Sequence, residues 1–171
     1  DDQEETELNV IRKGKAFFLD LPAQRRGAKL TIKVFYKGQP IKAENAPWDG
    51  GFSWKKDKKG RPWLGVSCEG IGASLWWPNK DPLTEEPDSM RINIRVDTAY
   101  TAVSNGNLRG SKSYDDGTHA FEWFLSYPIN NYNVTLNIGH YAHFEDQYVS
   151  LDKDTLQCDY YVMDYNIDIA K

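Results

Sequence analysis

The chain has 171 residues, of which 40% are hydrophobic and 13% aromatic, and its formal net charge is −4. This length and composition can form the core of one folded domain, so the sequence predicts a single domain over residues 1–171. The acidic balance gives no basic surface for nucleic acid, and no apolar run approaches the roughly 20 residues of a membrane-spanning helix. The acidic N-terminal residues do not resemble a signal peptide.

Alternating apolar residues predict β-strands along the chain. In chain order, the alternating positions are Phe17 and Leu19; Leu30, Ile32, Val34 and Tyr36; Ile92, Ile94 and Val96; Phe121, Trp123 and Leu125; and Tyr132, Val134, Leu136 and Ile138. Glycine-containing turn sequences at 49–51, 59–60, 105–106 and 115–117 separate these runs. The only helical structure predicted is a short turn near 73–77. The pattern predicts an all-β, antiparallel β-sandwich with hairpin connections and at most one short helical turn.

Familiar catalytic and metal-binding motifs are absent from the sequence. It contains no His-Glu-x-x-His, no Gly-x-Ser-x-Gly and no phosphate-binding glycine loop. His140 and His143 are three residues apart, so on a strand they point to opposite faces, and no metal site is predicted. Cys68 and Cys158 are expected to be free thiols. We therefore expect the chain by itself to be catalytically inactive and free of zinc.

The segment from Cys68 to Asp81 is the most unusual part of the sequence. Glu69 is followed by Gly70, Gly72 and the pair Trp76-Trp77. Glycines allow a close approach of the backbone, and adjacent tryptophans form a rigid apolar wall. This combination predicts a binding site.

Four motifs in the same order resemble the N-terminal, non-catalytic domain of the aminopeptidase N family of zinc metallopeptidases. They are Ser67-Cys68-Glu69; Pro78-Asn79-Lys80-Asp81 with Glu86-Pro87 and the strand from Met90; Ala102-Val103-Ser104-Asn105-Gly106; and Tyr127-Pro128-Ile129-Asn130-Asn131-Tyr132. The resemblance covers about residues 60–150 and is strongest to bacterial members. Two departures are Ser67, where the family usually has Gln, and an insertion that separates Asp81 from Glu86.

The resemblance implies an N-terminally incomplete sandwich domain with a saddle-like face, which covers one side of the zinc cleft of a larger enzyme. Its partners would be the catalytic domain of the same parent chain and a peptide substrate, and zinc would be bound only in that catalytic domain. By this resemblance, Glu69 binds the free amino end of the peptide, helped by Ser67, Gly70 and Gly72. Interface roles would fall to Trp76, Trp77, Asp81 and Tyr132. A periplasmic or secreted location is expected for the parent.

Two other classes of function remain open. A secreted carbohydrate-binding module could use Trp48, Trp54 and Trp63 as a flat platform for sugar rings. A structural or partner-binding sandwich would have no small-molecule site. A glycosidase based on the acidic residues Asp81, Glu85, Glu86 and Asp88 is less favoured, because carboxylates on one loop are usually solvated or paired with Lys80 and Arg91.

Overall fold

The computed structural model describes residues 5–80, 82 and 84–171. The chain divides into two compact units, Asp1–Tyr36 and Lys37–Lys171, which are described separately. Both contain antiparallel strands, and the all-β prediction is confirmed. A single domain over the whole chain stays a prediction.

The first unit contains one β-hairpin. Strand β1 (Val10–Lys13) pairs with β2 (Ala16–Leu19) across a turn in which Gly14 has φ 62°. The predicted strand over 30–36 was wrong, because no strand forms between residues 20 and 41, all of which the structure describes. Its apolar side chains, Leu30, Ile32, Val34 and Tyr36, are exposed instead. Alternation makes a strand only where a neighbouring strand accepts its hydrogen bonds.

The described residues of the second unit form nine strands. They are β3 (Gly51–Lys56), β4 (Pro62–Ser67), β5 (Met90–Asp97), β6 (Thr101–Val103), β7 (Asn107–Ser113), β8 (Thr118–Leu125), β9 (Asn137–Gly139), β10 (Tyr141–Val149) and β11 (Thr155–Met163). The predicted helical turn is present as a 3-10 turn at Ala73–Leu75. Two further 3-10 turns, Asn131–Asn133 and Asp164–Asn166, and the four-residue helix α1 (Ile167–Ala170) were not predicted. The helices in the described part of the chain are too short to cross a membrane.

The strands form a four-stranded sheet in the order β3-β4-β9-β6, a three-stranded sheet in the order β5-β8-β7 and a two-stranded ribbon, β10-β11. The core joins these layers: buried Ala102 of β6 packs with Phe121 and Trp123 of β8. The indole N–H of Trp123 donates to the carbonyl oxygen of Ala102 at 3.0 Å, so the largest core side chain leaves no unpaired donor. Around this centre lie Ile92, Ile94, Val96, Val103, Ile138 and Tyr161.

The predicted strand from Tyr132 to Ile138 is present only at its end. Residues 131–133 form a 3-10 turn, and the strand β9 begins at Asn137. The side chain of Asn130 accepts the backbone N–H of Tyr132 at 2.9 Å. An Asn side chain that bonds nearby backbone in this way competes with the strand ladder, and here the local turn prevails.

Candidate functional site

Glu69 lies in a tight turn directly after β4. The N–H of Ile71 donates to the carbonyl oxygen of Glu69 at 2.9 Å, and the N–H of Gly72 donates to that of Cys68 at 2.8 Å. Gly70 and Gly72 have φ values of 71° and 77°, which residues with a Cβ atom rarely adopt. The two glycines are therefore required by the turn that presents Glu69.

A second glycine-containing segment passes directly against this turn. A Cβ at Gly50 would collide with the carbonyl oxygen of Glu69 and with the side chain of Ile71. Ser67 joins the same two segments, because its hydroxyl donates to the carbonyl oxygen of Pro47 at 3.1 Å and accepts the N–H of Glu69 at 3.5 Å. The turn that holds Glu69 is thus supported from the side of the 43–50 loop.

The carboxylate of Glu69 meets a residue from the other half of the chain. The hydroxyl of Tyr132 donates to Oε2 of Glu69 at 2.5 Å. This hydrogen bond to the carboxylate is the main cause that raises the pKa of Tyr132, because losing the proton would place two negative groups side by side. Tyr132 therefore stays a donor over an extended pH range and orients the carboxylate.

Buried Asn131 anchors the 3-10 turn that carries Tyr132. Its amide nitrogen donates to Oδ1 of Asn79 at 3.1 Å and to the carbonyl oxygen of Lys80 at 2.7 Å. Asn79 in turn donates to the carbonyl oxygen of Trp77 at 2.9 Å. The turn at 131–133 is fixed in this way to the segment that follows the two tryptophans.

Trp76 and Trp77 pack edge to face with each other, with ring centroids 6.3 Å apart, and Trp76 packs in the same manner on Phe52 at 6.4 Å. Burial raises the pKa of the Cys68 thiol. The indole N–H groups of Trp76 and Trp77 are both buried and have no acceptor among the described residues. The two tryptophans form a partly buried apolar wall behind the Glu69 turn. The interface role predicted for them from the sequence stays a prediction.

The structure brings together most of the predicted site residues. Ser67, Glu69, Gly70, Gly72 and Tyr132 form one cluster, with the two tryptophans behind it, whereas Asp81 lies outside the described residues. Gly50, Asn79 and Asn131 also support the site, a role that was not predicted for them from the sequence. A signal existed for the asparagines, because Asn is typical of positions where a side chain bonds the backbone of a turn.

The proposed sugar platform does not form. In the β3-β4 pair, Trp54 lies opposite Leu64 and Trp63 lies opposite Lys55, so the two indoles are on different faces of the sheet. The indole N–H of Trp63 also donates to the hydroxyl of Tyr141 at 2.7 Å. Trp48, Trp54 and Trp63 therefore cannot make one flat surface. Of the acidic residues considered for a glycosidase, Glu85 pairs with Lys80 at 2.7 Å.

Glu69 is exposed and lies on an open surface. A concavity of about 510 Å³ is present elsewhere in the unit, lined by aromatic and aliphatic side chains that include Trp54, Leu64, Tyr100 and Ile138, and Glu69 is not part of it. A carboxylate on an open surface can hold an ammonium group but cannot enclose a ligand. The site is therefore one wall of a binding cleft at most.

No protein-family model matches the sequence, and no curated protein sequence matches it either. Solved structures do match its fold. An M1 zinc metallopeptidase from Deinococcus radiodurans has a TM-score of 0.67 and 15% identity over 89% of this chain and 34% of its own. A mutant of an M1 zinc metallopeptidase from the same organism, bound to the substrate Tyr-Ser-Ala, gives a TM-score of 0.58 and 16% identity over 71% of this chain and 27% of its own.

Aminopeptidase A of Legionella pneumophila, in complex with aspartic acid, has a TM-score of 0.52 and 20% identity over 68% of this chain and 14% of its own. The chain therefore spans about a third or less of each of these structures. At such identities the likeness establishes a shared fold. The fold of this chain is found in M1 zinc metallopeptidases.

Proposed function

We propose that this chain is the domain of a larger zinc-dependent aminopeptidase that covers one side of the substrate cleft, and that Glu69 binds the free amino group of the peptide. The single observation that carries the proposal is the hydrogen bond between Tyr132 and Glu69. This hydrogen bond joins the motif that contains Glu69 to the motif that contains Tyr132, and both motifs resemble the same family although they are far apart in the sequence. The carboxylate that accepts the bond is exposed. The catalytic zinc would be held by another part of the parent protein.

The geometry suits an ammonium ligand. Tyr132 occupies Oε2 of Glu69, and in the described part of the chain Oε1 has no hydrogen-bond partner. A carboxylate fixed by one donor and open at its other oxygen can accept charge-assisted hydrogen bonds from a peptide α-ammonium. The hydrogen-bonded turn at Cys68–Gly72 would hold the carboxylate in place before substrate arrives, which lowers the entropy cost of binding.

The open surface around Glu69 explains why a second domain is needed. A peptide bound only at its ammonium would stay mostly in water, where a single ion pair contributes little. With a catalytic domain as the opposite wall, the contact would be partly dehydrated and stronger. The same arrangement would restrict the enzyme to the N-terminal ends of peptides, because only a terminal residue has the free α-amino group that the Glu69 carboxylate would bind.

The test is the Glu69→Gln substitution in the full-length parent. The amide keeps the size and hydrogen-bonding reach of the side chain but removes its charge, and hydrogen bonds to charged groups contribute about 1.5–3 kcal/mol. We expect kcat/KM for a peptide with a free N-terminus to fall roughly tenfold to a hundredfold. The melting temperature should change little, because Tyr132 can still donate to the amide oxygen.

Two controls make this result specific. Glu122→Gln removes a carboxylate on β8 that pairs loosely with Arg91, and it should leave kcat/KM unchanged. An N-acetylated peptide lacks the positive charge and should be a poor substrate for all three proteins. Equal losses for free and acetylated peptides, or no loss in Glu69→Gln, would show that Glu69 does not recognise the amino group.

A further inference from the structure

The β10-β11 ribbon has one face that carries nitrogen and oxygen ligands. In an antiparallel pair, directly opposed residues and residues two apart on one strand share a face. His143 and Glu145 are two apart on β10, Asp159 is directly opposite Glu145, and Tyr161 is directly opposite His143. The ladder therefore places one imidazole and two carboxylates next to each other on the same side.

We propose that His143, Glu145 and Asp159 bind one divalent transition-metal ion, with Zn²⁺ as the best fit. One donor atom from each residue lies within 4.8 Å of the others, a distance that small side-chain rotations can close around an ion. One imidazole nitrogen and two carboxylate oxygens are ligands that Zn²⁺ accepts, and the remaining positions would be filled by water. This proposal is independent of the role given to Glu69.

The charge arrangement of the ribbon favours a bound cation. Glu145 and Asp159 face each other directly across the strands, and like charges in that position destabilise a sheet. In the structure Asp159 turns to His143, with Oδ1 2.7 Å from Nε2. A divalent ion between the three groups would offset both carboxylates, which one imidazole cannot do.

Neighbouring side chains hold the ligands in place and leave them accessible. The ring of Tyr161 stacks on that of His143 with centroids 4.5 Å apart and planes 25° apart, which restricts the imidazole orientation. The amide nitrogen of Gln157 approaches Oε2 of Glu145 at 3.4 Å. The side chains of His143 and Asp159 are 36% and 35% exposed, so an ion and its waters can enter from solvent.

No metal site is predicted from the sequence, because His140 and His143 lie three residues apart and would point to opposite faces of one strand. His140 lies outside β10, which begins at Tyr141, and its ring contacts Tyr100 with centroids 5.2 Å apart. The missing ligand comes from the second strand. Asp159 is 16 residues away from His143 and reaches it through the hairpin register, which spacing alone does not reveal.

The test is a calorimetric titration of the 171-residue chain with ZnCl₂ at neutral pH. The Cys158→Ser background is used throughout, because a free thiol could otherwise bind zinc. We expect saturable binding of one ion per chain. His143→Ala and Asp159→Asn should each weaken the affinity for Zn²⁺ by at least about tenfold. His119→Ala removes a histidine on β8 that is not a proposed ligand, and it should leave the affinity unchanged.

Circular dichroism of every variant establishes that it is folded. The NMR resonances of the His143 ring provide a second readout in the protein with all three proposed ligands present. They should shift on addition of Zn²⁺, while those of His119 should not. Absence of saturable binding up to millimolar Zn²⁺, binding that survives His143→Ala unchanged, or a shift at His119 in place of His143 would each overturn the proposal.

Discussion

Tyr132 donates a hydrogen bond of 2.5 Å to Glu69, which lies 63 positions earlier in the sequence. Both residues are exposed, so burial does not hold them together. The contact depends on two separately anchored turns, one at Cys68–Gly72 and the other at Asn131–Asn133. The orientation of the candidate ligand carboxylate is therefore a property of the folded sandwich, and it can be examined by changing each anchor in turn.

The first prediction concerns the Tyr132 hydroxyl. Because the pKa of Tyr132 is raised chiefly by the Glu69 carboxylate, Glu69→Gln should lower that pKa towards its ordinary value. Residue-specific carbon NMR of labelled tyrosine, assigned with Tyr132→Phe, measures it during a pH titration. A pKa that stays the same in Glu69→Gln would contradict the described contact.

The sign of the coupled stability effect follows from the raised pKa. The folded state favours protonated Tyr132, so this contact stabilises the fold fully at pH values below the pKa that Tyr132 has in the unfolded chain. The contribution is lost as the pH rises through the pKa of Tyr132 in the folded state. The alkaline loss of thermal stability should accordingly be smaller in Glu69→Gln than in the unaltered chain.

The second prediction concerns Asn131. Asn131→Ala removes a buried amide that bonds Asn79 and the carbonyl oxygen of Lys80, and two such hydrogen bonds of about 0.5–1.5 kcal/mol each together contribute about 1–3 kcal/mol. The free energy of unfolding in urea should fall by this amount. Asn133→Ala is the matched control on the exposed side of the same turn, and we expect it to stay within about 0.5 kcal/mol. Equal effects of the two variants would argue against the anchor.

The third prediction concerns the close approach at Gly50. Gly50→Ala places a methyl group against the backbone of Glu69 and the side chain of Ile71, and such overpacking costs about 1–3 kcal/mol. Gly110→Ala on β7 meets no atom within 4 Å and should be neutral or slightly stabilising. Thermal unfolding compares the two, and amide shifts at Cys68–Gly72 report whether the Glu69 turn moves. Full tolerance of alanine at Gly50 would show that the two segments are not in contact.

The fourth prediction concerns acid stability. Arg61 donates to both carboxylate oxygens of Asp164, at 2.7 Å and 2.6 Å, and these bonds hold the pKa of Asp164 well below its usual range. A depressed pKa stabilises the fold above the unfolded pKa of about 3.9, and this contribution is lost as pH falls further. Asp164→Asn should therefore reduce the loss of melting temperature between neutral pH and pH values near 3.

Asp168→Asn on α1 is the control for this measurement, because Asp168 forms no ion pair among the described residues. It should follow the unaltered chain throughout the titration. An Asp164→Asn curve parallel to that of the unaltered chain would mean that the Arg61 contact does not contribute to acid stability.

Where a run predicted by alternation did form a strand, that strand has a partner. Ile92, Ile94 and Val96 of β5 pair in register with Trp123, Phe121 and His119 of β8, and the predicted period matches their inward face. The same period at Leu30–Tyr36 gave no strand, and no described residue pairs with this segment as a neighbouring strand. The local alternation of apolar residues indicates that a segment can form a strand. Pairing with a distant segment decides whether that strand forms.

The candidate site was predictable in its parts. Glu69 and its two glycines stand out in the sequence, and the resemblance to a family adds Tyr132. The contact between Glu69 and Tyr132, the approach of Gly50 and the role of Asn131 all depend on segments at least 19 positions apart. Neither composition nor periodicity specifies such contacts, which arise from the register of the sheets.

The anchor at Asn131 also bears on the order of folding. Its hydrogen bonds join residues 51 and 52 positions apart, so the chain must close a long loop before they form. If these contacts form after the main folding barrier, removing them accelerates unfolding and leaves the folding rate nearly constant. In that case the surface around Glu69 is assembled last and opens first, so it is the part of the sandwich whose lifetime limits how long the site stays intact.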